Sequence, residues 1–183
     1  MAPVTTIDAP PDWPARWRAL IRDVPDFPSP GVLFRDITPL LFDSAALRAA
    51  NDALAEAGRA LRATAVAGIE ARGFLFGVPV AERLKVPFVP LRKPGKLPGE
   101  LATVAYGLEY GTGILELRRD PSVAGARVLV VDDVLATGGT AQAAVQLLRG
   151  LGAEVCGCAF LIGLSALGGR ANLDVPVVTL VEY

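Results

Sequence analysis

The stretch Val128-Leu-Val-Val-Asp-Asp-Val-Leu-Ala-Thr-Gly-Gly-Thr140 decides how the rest of the chain is read. Its four leading apolar residues describe a strand buried on both faces, and that strand runs into paired carboxylates, Asp132 and Asp133. Thr137-Gly-Gly-Thr140 then opens a helix predicted over residues 139–151. The first N–H groups of a helix have no partners inside it, and the helix dipole favours an anion there. Glycines let the backbone approach a phosphate closely, and the Thr137 and Thr140 hydroxyls add donors. Carboxylates beside such a site suit the vicinal hydroxyls of a sugar, or a metal ion that bridges to phosphate. Asp132, Asp133, Ala136, Thr137, Gly138, Gly139 and Thr140 therefore form a candidate pocket for a 5-phosphorylated ribose. The Gly-Lys-Thr ending of a Walker loop is missing.

Around this loop, apolar strands alternate with helices. Residues 65–69, 86–91, 127–131, 154–162 and 177–181 read as strands, and residues 74–84 as a helix. Ser44 is placed to cap a long helix carrying Leu47, Leu54 and Leu61. That alternation predicts an α/β fold with a mainly parallel sheet covered on both faces, and ligands at the carboxyl ends of its strands. At the N-terminus, the first eleven residues hold three prolines and read as a loose arm. Residues 13–23 read as a short helix, Pro25 to Gly31 as a break, and residues 32–37 as a short apolar segment. Residues 92–113 are rich in glycine and carry Arg92, Lys93 and Lys96 without a sustained period. We expect a mobile lid loop there. A single domain is expected over residues 1–183.

Composition limits the chemistry. The 183 residues are 52% hydrophobic and 20% charged, with eighteen basic against nineteen acidic side chains and a net charge of -1. This balance offers no footprint for nucleic acid or an anionic membrane. The chain has no histidine, so Ser-His and Cys-His nucleophiles and His-ligated metals are excluded. The two cysteines, Cys156 and Cys158, are expected on opposite faces of one strand as small core residues. No basic region followed by an apolar run opens the sequence, and the longest apolar run, residues 155–164, is too short to span a bilayer. A cytoplasmic location is expected.

Glu70-Ala-Arg-Gly73 again joins a strand to a helix, which makes a second anion site with an arginine fork. With the 128–140 loop, three further segments carry a family resemblance. They are Pro25-Asp-Phe-Pro-Ser-Pro-Gly-Val-Leu-Phe-Arg-Asp-Ile-Thr-Pro39, Gly68-Ile-Glu-Ala-Arg-Gly-Phe-Leu-Phe-Gly77, and Arg92-Lys-Pro-Gly-Lys-Leu-Pro98 continuing to Leu108-Glu-Tyr-Gly111. Together they resemble the type I phosphoribosyltransferases from about residue 13 onward, and among them the branch that acts on adenine.

The resemblance implies a central sheet flanked by helices, a small N-terminal hood over about residues 12–40, and a flexible lid over about 92–113. It implies transfer of a phosphoribosyl group from 5-phosphoribosyl 1-pyrophosphate to adenine, giving AMP and pyrophosphate. Mg2+ would be held mainly through the substrate, with Asp132 and Asp133 nearby and no direct protein ligand assigned. Glu70, Ala71, Arg72 and Gly73, with Arg92, Lys93 and Lys96 from the lid, fall to the pyrophosphate. Leu33, Phe34 and Arg35 of the hood fall to the adenine. Glu109, with Tyr110 beside it, falls to proton handling, and Arg72 to the leaving group. In this family the lid cations also serve a neighbouring subunit, so a homodimer is implied. Relatives that act on oxopurines carry an aspartate where this chain has Ala136, which favours adenine. Transfer to hypoxanthine, guanine or xanthine is the alternative within enzymes. A non-catalytic regulator that senses phosphoribosyl pyrophosphate is the alternative outside them, and the absence of a basic surface speaks against it.

Overall fold

Residues 12–108 and 111–183 are described in the structure, a computed structural model. Helix α1 (Trp13–Ala19) ends sooner than the helix expected over 13–23. The chain leaves it for β1 (Arg22–Pro25), which pairs antiparallel with β2 (Leu33–Asp36). That pairing crosses the proline-rich break, so a local period could not reveal it. A short α2 (Thr38–Phe42), also unanticipated, starts with Pro39 in its first turn, where a missing N–H costs nothing. Helix α3 (Ser44–Ala60) is capped by Asp43 rather than Ser44. The Asp43 carboxylate accepts from the Ala45 and Ala46 N–H groups at 3.0 and 2.9 Å.

Beyond α3 the alternation follows the sequence closely: β3 (Ala65–Ile69), α4 (Gly73–Leu84) and β4 (Phe88–Leu91). The segment expected as a mobile lid loop is built in large part of strand. It contains most of an antiparallel hairpin, β5 (Leu101–Leu108) and β6 (Gly111–Arg118), paired from Leu101↔Arg118 to Leu108↔Gly111. Ala102, Leu115 and Leu117 are its buried side. Glycines dilute the alternation of these strands, which hid them in the sequence. The chain finishes with β7 (Arg127–Leu135), α5 (Gly139–Gly150), β8 (Glu154–Gly163) and β9 (Val177–Glu182).

Five strands form one parallel sheet in the order β4-β3-β7-β8-β9. Helices α3 and α4 cover one face, where Val66, Leu129 and Val131 meet Phe76 and Val80 in a common core. Helix α5 and the β5–β6 hairpin cover the other, where Ala67, Ile69, Val128 and Val130 pack. Burial on both faces explains why these strands are apolar throughout. From β3 the chain crosses first to β4 on one side, and later to β7 on the other. The carboxyl ends of β3 and β7 thus flank a topological switch point, where the diverging connections leave a crevice.

Cys156 and Cys158 lie in separate cores, on opposite faces, as expected. Strict alternation would have put residues two apart on one face. A bulge separates them, because Val128 pairs with Val155 while Leu129 pairs with Gly157. Both thiols are free, and burial pushes both above the usual thiol range.

Candidate active site

Strand β7 delivers Asp132 and Asp133 to the crevice. Asp133 is 3% exposed, and its Oδ2 lies 2.9 Å from Arg72 Nε without the alignment of a good hydrogen bond. Asp132 Oδ1 accepts from the Asp133 N–H at 2.9 Å. Burial raises the pKa of both carboxyls; for Asp132 the neighbouring Asp133 charge adds to the rise, and for Asp133 the Arg72 charge opposes it. Ionised, this pair is costly unless a ligand supplies donors or positive charge.

Two helices point their N-termini at the same place, and both lack a side-chain cap. At α5 the first N–H groups stay available to an anion, whereas at α4 the Phe74 and Leu75 N–H groups donate to the Ala71 and Arg72 carbonyl oxygens at 3.2 and 3.1 Å. Gly138 precedes α5 with φ 84°, a left-handed conformation that only glycine adopts freely. Gly73 opens α4 where a Cβ would lie 2.7 Å from the Val131 carbonyl oxygen and 2.9 Å from Asp132 Oδ1. Absence of a side chain there lets the α4 N-terminus touch the end of β7. The expected sugar-phosphate residues, Asp132 to Thr140, line one cavity of about 230 Å³ with Arg72 and Phe160.

A larger cavity of about 760 Å³ adjoins it and shares Arg72, Val134, Ala136, Thr137 and Thr140. Leu33, Phe34 and Arg35 of the hood line it. Phe34 packs edge-on against Phe27 at 5.1 Å, and the Arg72 guanidinium sits 5.2 Å from its ring. The opposite wall was not anticipated: Leu164, Ala166, Leu167 and Tyr183. Tyr183 lies under two cations, Arg35 at 3.8 Å and Arg18 at 4.4 Å from its ring centre. No local period marks residues 164–167 for that wall, because only the course of the chain after β8 brings them across from the hood. Ala136 lies at the junction of the cavities and brings no carboxylate to it.

The pyrophosphate candidates divide. Arg72 lines the crevice and Gly73 starts α4 against the end of β7, just beyond a cis Glu70–Ala71 peptide. Glu70 instead fastens the next segment: its carboxylate accepts from Arg92 Nε at 3.0 Å, Arg92 Nη2 at 3.3 Å and the Lys93 N–H at 2.7 Å. Those bonds hold the Glu70 carboxyl below its ordinary range. Arg92 is thus an ion-pair partner of Glu70 in this conformation, while Lys93 and Lys96 are exposed. Arg92 also exchanges both backbone bonds with Glu116 of β6, which joins the hairpin to the loop after β3. A Cβ on Gly139 would lie 3.0 Å from the Gly107 carbonyl oxygen, so the far end of β5 lies against the start of α5. Glu109 and Tyr110, the proton-handling candidates, lie outside the described residues. Among the described residues, no cluster of three or more Cys, Asp or Glu could hold a metal ion.

A parallel sheet with two uncapped helix N-termini and paired carboxylates at its switch point defines a protein of the phosphoribosyl-binding class. Residues 41–180 match the phosphoribosyl transferase domain, and the chain belongs to that family. Within the family it belongs with the adenine phosphoribosyltransferases. It is 54% identical over 169 residues to that enzyme of Rippkaea orientalis, covering 91% of this chain and 98% of the relative. With the enzyme of a Parafrankia species it shares 55% over 181 residues, 96% and 98% of the two chains. The solved adenine phosphoribosyltransferase of Thermoanaerobacter pseudethanolicus superposes with a TM-score of 0.89 at 46% identity, over 92% and 99% of the chains. That of Saccharomyces cerevisiae, solved with an imino-altritol bisphosphate and adenine, has a TM-score of 0.86 at 39% identity, over 92% and 98%.

Proposed function

We propose that this chain transfers the 5-phosphoribosyl group from 5-phosphoribosyl 1-pyrophosphate to adenine, releasing AMP and pyrophosphate. The observation that carries this reading is the contact between two unlike cavities. One is polar, with uncapped helix N–H groups and two carboxylates; the other is largely apolar; and they meet at Ala136 and Arg72. A substrate that joins a phosphorylated sugar to a flat base fills that shape. The names of the similar proteins support the same chemistry.

On this reading the N-terminus of α5, with Thr137, Gly138, Gly139 and Thr140, receives the 5-phosphate. Asp132 and Asp133 accept from the ribose hydroxyls, whose donors relieve their buried charge. The loop from Glu70 to Gly73 faces the pyrophosphate, with Arg72 supplying charge as the bond at the ribose C1 breaks. Catalysis is then mainly positioning and electrostatic stabilisation of an oxocarbenium-like sugar. Leu33 and Arg35, two apart on β2, turn their backbone groups to the same side, which suits the donor–acceptor edge of adenine. Phe34 lies against the ring. A site built for that edge leaves buried polar groups unpaired with hypoxanthine, and so rejects it strongly. Glu109, with Tyr110, takes up the proton lost from N9 of the base, because Ala136 leaves no acid at the junction.

Mg2+ fits this site as an ion held mainly by substrate. The chain offers two carboxylates at the β7 end, and Mg2+ commonly takes one or two of these with waters and phosphate oxygens. When bound, it would neutralise charge on the pyrophosphate. No helix among the described residues is long and apolar enough to cross a membrane. Exposed apolar Leu75 and Val78 lie one turn apart on α4, and a second copy of the chain would cover them. We therefore read the enzyme as a homodimer.

The test is to incubate the protein with phosphoribosyl pyrophosphate and Mg2+, offer adenine, hypoxanthine, guanine and xanthine separately, and measure nucleotide formed. AMP from adenine, with far less product from the other bases, is the expected result. Product from an oxopurine at a comparable rate would overturn the assignment.

A further inference from the structure

The phosphate loop does not hold its own shape. Three of its backbone groups lean on a segment thirty residues further along, in the turns Ser165–Leu167 and Gly169–Asn172 that follow β8. Asn172 Nδ2 donates to the Thr137 carbonyl oxygen at 2.8 Å. Gly169 lies so close that a Cβ on it would stand 2.1 Å from the Ala136 oxygen, 2.8 Å from the Gly138 nitrogen and 2.9 Å from the Thr137 carbonyl carbon. In return, a Cβ on Gly138 would lie 2.5 Å from the Gly169 oxygen. Two backbones meet here with no side chain between them.

The segment is itself pinned to β9 by Arg170. Its Nη1 donates to the Val177 carbonyl oxygen at 2.8 Å, and its Nη2 to Thr179 Oγ1 at 3.1 Å and Glu182 Oε1 at 3.2 Å. The Glu182 carboxylate also accepts from Ser165 Oγ at 2.7 Å and from Thr179 Oγ1. A rigid strand, an arginine clamp and a carboxamide thus stand in series behind the loop.

Building on the proposed function, we propose that Asn172, seated by Gly169 and Arg170, is a positioning residue for the 5-phosphate. In a trans peptide the C=O and N–H point in opposite directions. Holding the Thr137 oxygen therefore fixes the direction of the Gly138 N–H, one of the groups at the N-terminus of α5. Asn172 is exposed and packs in no core, so its amide bond to Thr137 is the contact that a substitution removes.

The test compares wild type with Asn172→Ala by calorimetric titration with ribose 5-phosphate, and by the KM for adenine at saturating phosphoribosyl pyrophosphate. Loss of one hydrogen bond of this kind weakens ribose 5-phosphate binding roughly 3- to 10-fold, while the adenine KM and the melting temperature hold. Arg170→Met weakens the same titration in the same direction. Equal ribose 5-phosphate affinity in wild type and Asn172→Ala overturns the inference. So does a parallel loss of ribose 5-phosphate affinity, adenine KM and melting temperature, which marks a general structural role. A wild-type protein that binds no ribose 5-phosphate overturns instead the function on which the inference rests.

Discussion

At the scale of single residues, the site is a place where local stability is given up. Asp132 and Asp133 lie in the last part of a buried strand, and their carboxyls lie above the ordinary value of 3.8 because burial disfavours the charged form. The sign of the linkage follows. With the folded pKa raised, the folded state gains relative to the unfolded chain while these groups are protonated, below the unfolded value. That gain is lost as pH rises from about 3.8 through the raised folded value. Asp132→Asn, which keeps the shape without the charge, is expected to stabilise the ligand-free protein at neutral pH. On the order of 1 kcal/mol, or about 2–4 °C in a chain of this length, is the expected size. The melting temperature should also fall less steeply with rising pH, as calorimetric scans across the acid range will read. The same variant should bind ribose 5-phosphate more weakly; unchanged binding would remove Asp132 from the sugar site. Glu70 runs the opposite way. Its carboxyl is held low by Arg92 and the Lys93 N–H, so its contribution is present above the ordinary 4.5 and lost as pH falls through the folded value. At Glu109, Glu109→Gln should lower kcat far more than affinity for phosphoribosyl pyrophosphate. Equal losses in steady-state kinetics and binding would deny it the proton.

At the scale of elements, the helix starts differ in what occupies their first N–H groups. Helix α3 is capped by Asp43 and serves the core; α4 and α5 are left uncapped and face the crevice. The sequence showed α5 clearly, because a glycine pair closely follows an apolar strand that carries two acids, although β7 runs on past them to Leu135. It misplaced the α3 cap by one residue, since Asp43 and Ser44 are both good capping types and only the backbone distinguishes them. The hairpin was missed for another reason. Half-buried strands broken by glycine carry a weak period, and α5 supplies the partner that makes Ala102, Leu115 and Leu117 core residues. Close approach of α4 to β7 gives a prediction at this scale. Gly73→Ala places a methyl against the Val131 carbonyl, and should destabilise by about 1–3 kcal/mol as the helix start is forced away. Denaturant midpoints will measure it, and ribose 5-phosphate affinity should fall with them because Asp132 sits on the same contact. A midpoint equal to wild type would mean that the helix start yields freely.

Over the whole molecule, the sheet order places the starts of α4 and α5 and the two adjoining cavities at one switch point. Binding therefore ties together the end of β3, the end of β7 and the segment after β8. Ligand that binds only the folded state stabilises it by about 2.7 kcal/mol at a hundredfold excess over Kd, or roughly 5–11 °C. Ribose 5-phosphate should raise the melting temperature in wild type by this order and by much less in Asp132→Asn. Equal shifts in both would place the ligand elsewhere.

The sequence by itself determined the parallel α/β sheet, the apolar strand that leads into Asp132 and Asp133, and the glycine-opened helix after it. These are local facts: apolar runs set strands, and backbone N–H groups at a helix start bind anions whatever surrounds them. It also determined that no histidine takes part. Only the tertiary structure decided what faces what. Sheet order brought Arg72 beside Asp133 and Phe34, committed Arg92 to Glu70, and set Leu164, Leu167 and Tyr183 across from the hood. Asn172 reached the phosphate loop the same way, from thirty-five residues beyond Thr137. Contacts between distant segments depend on how strands neighbour one another, and a local pattern carries no record of that order.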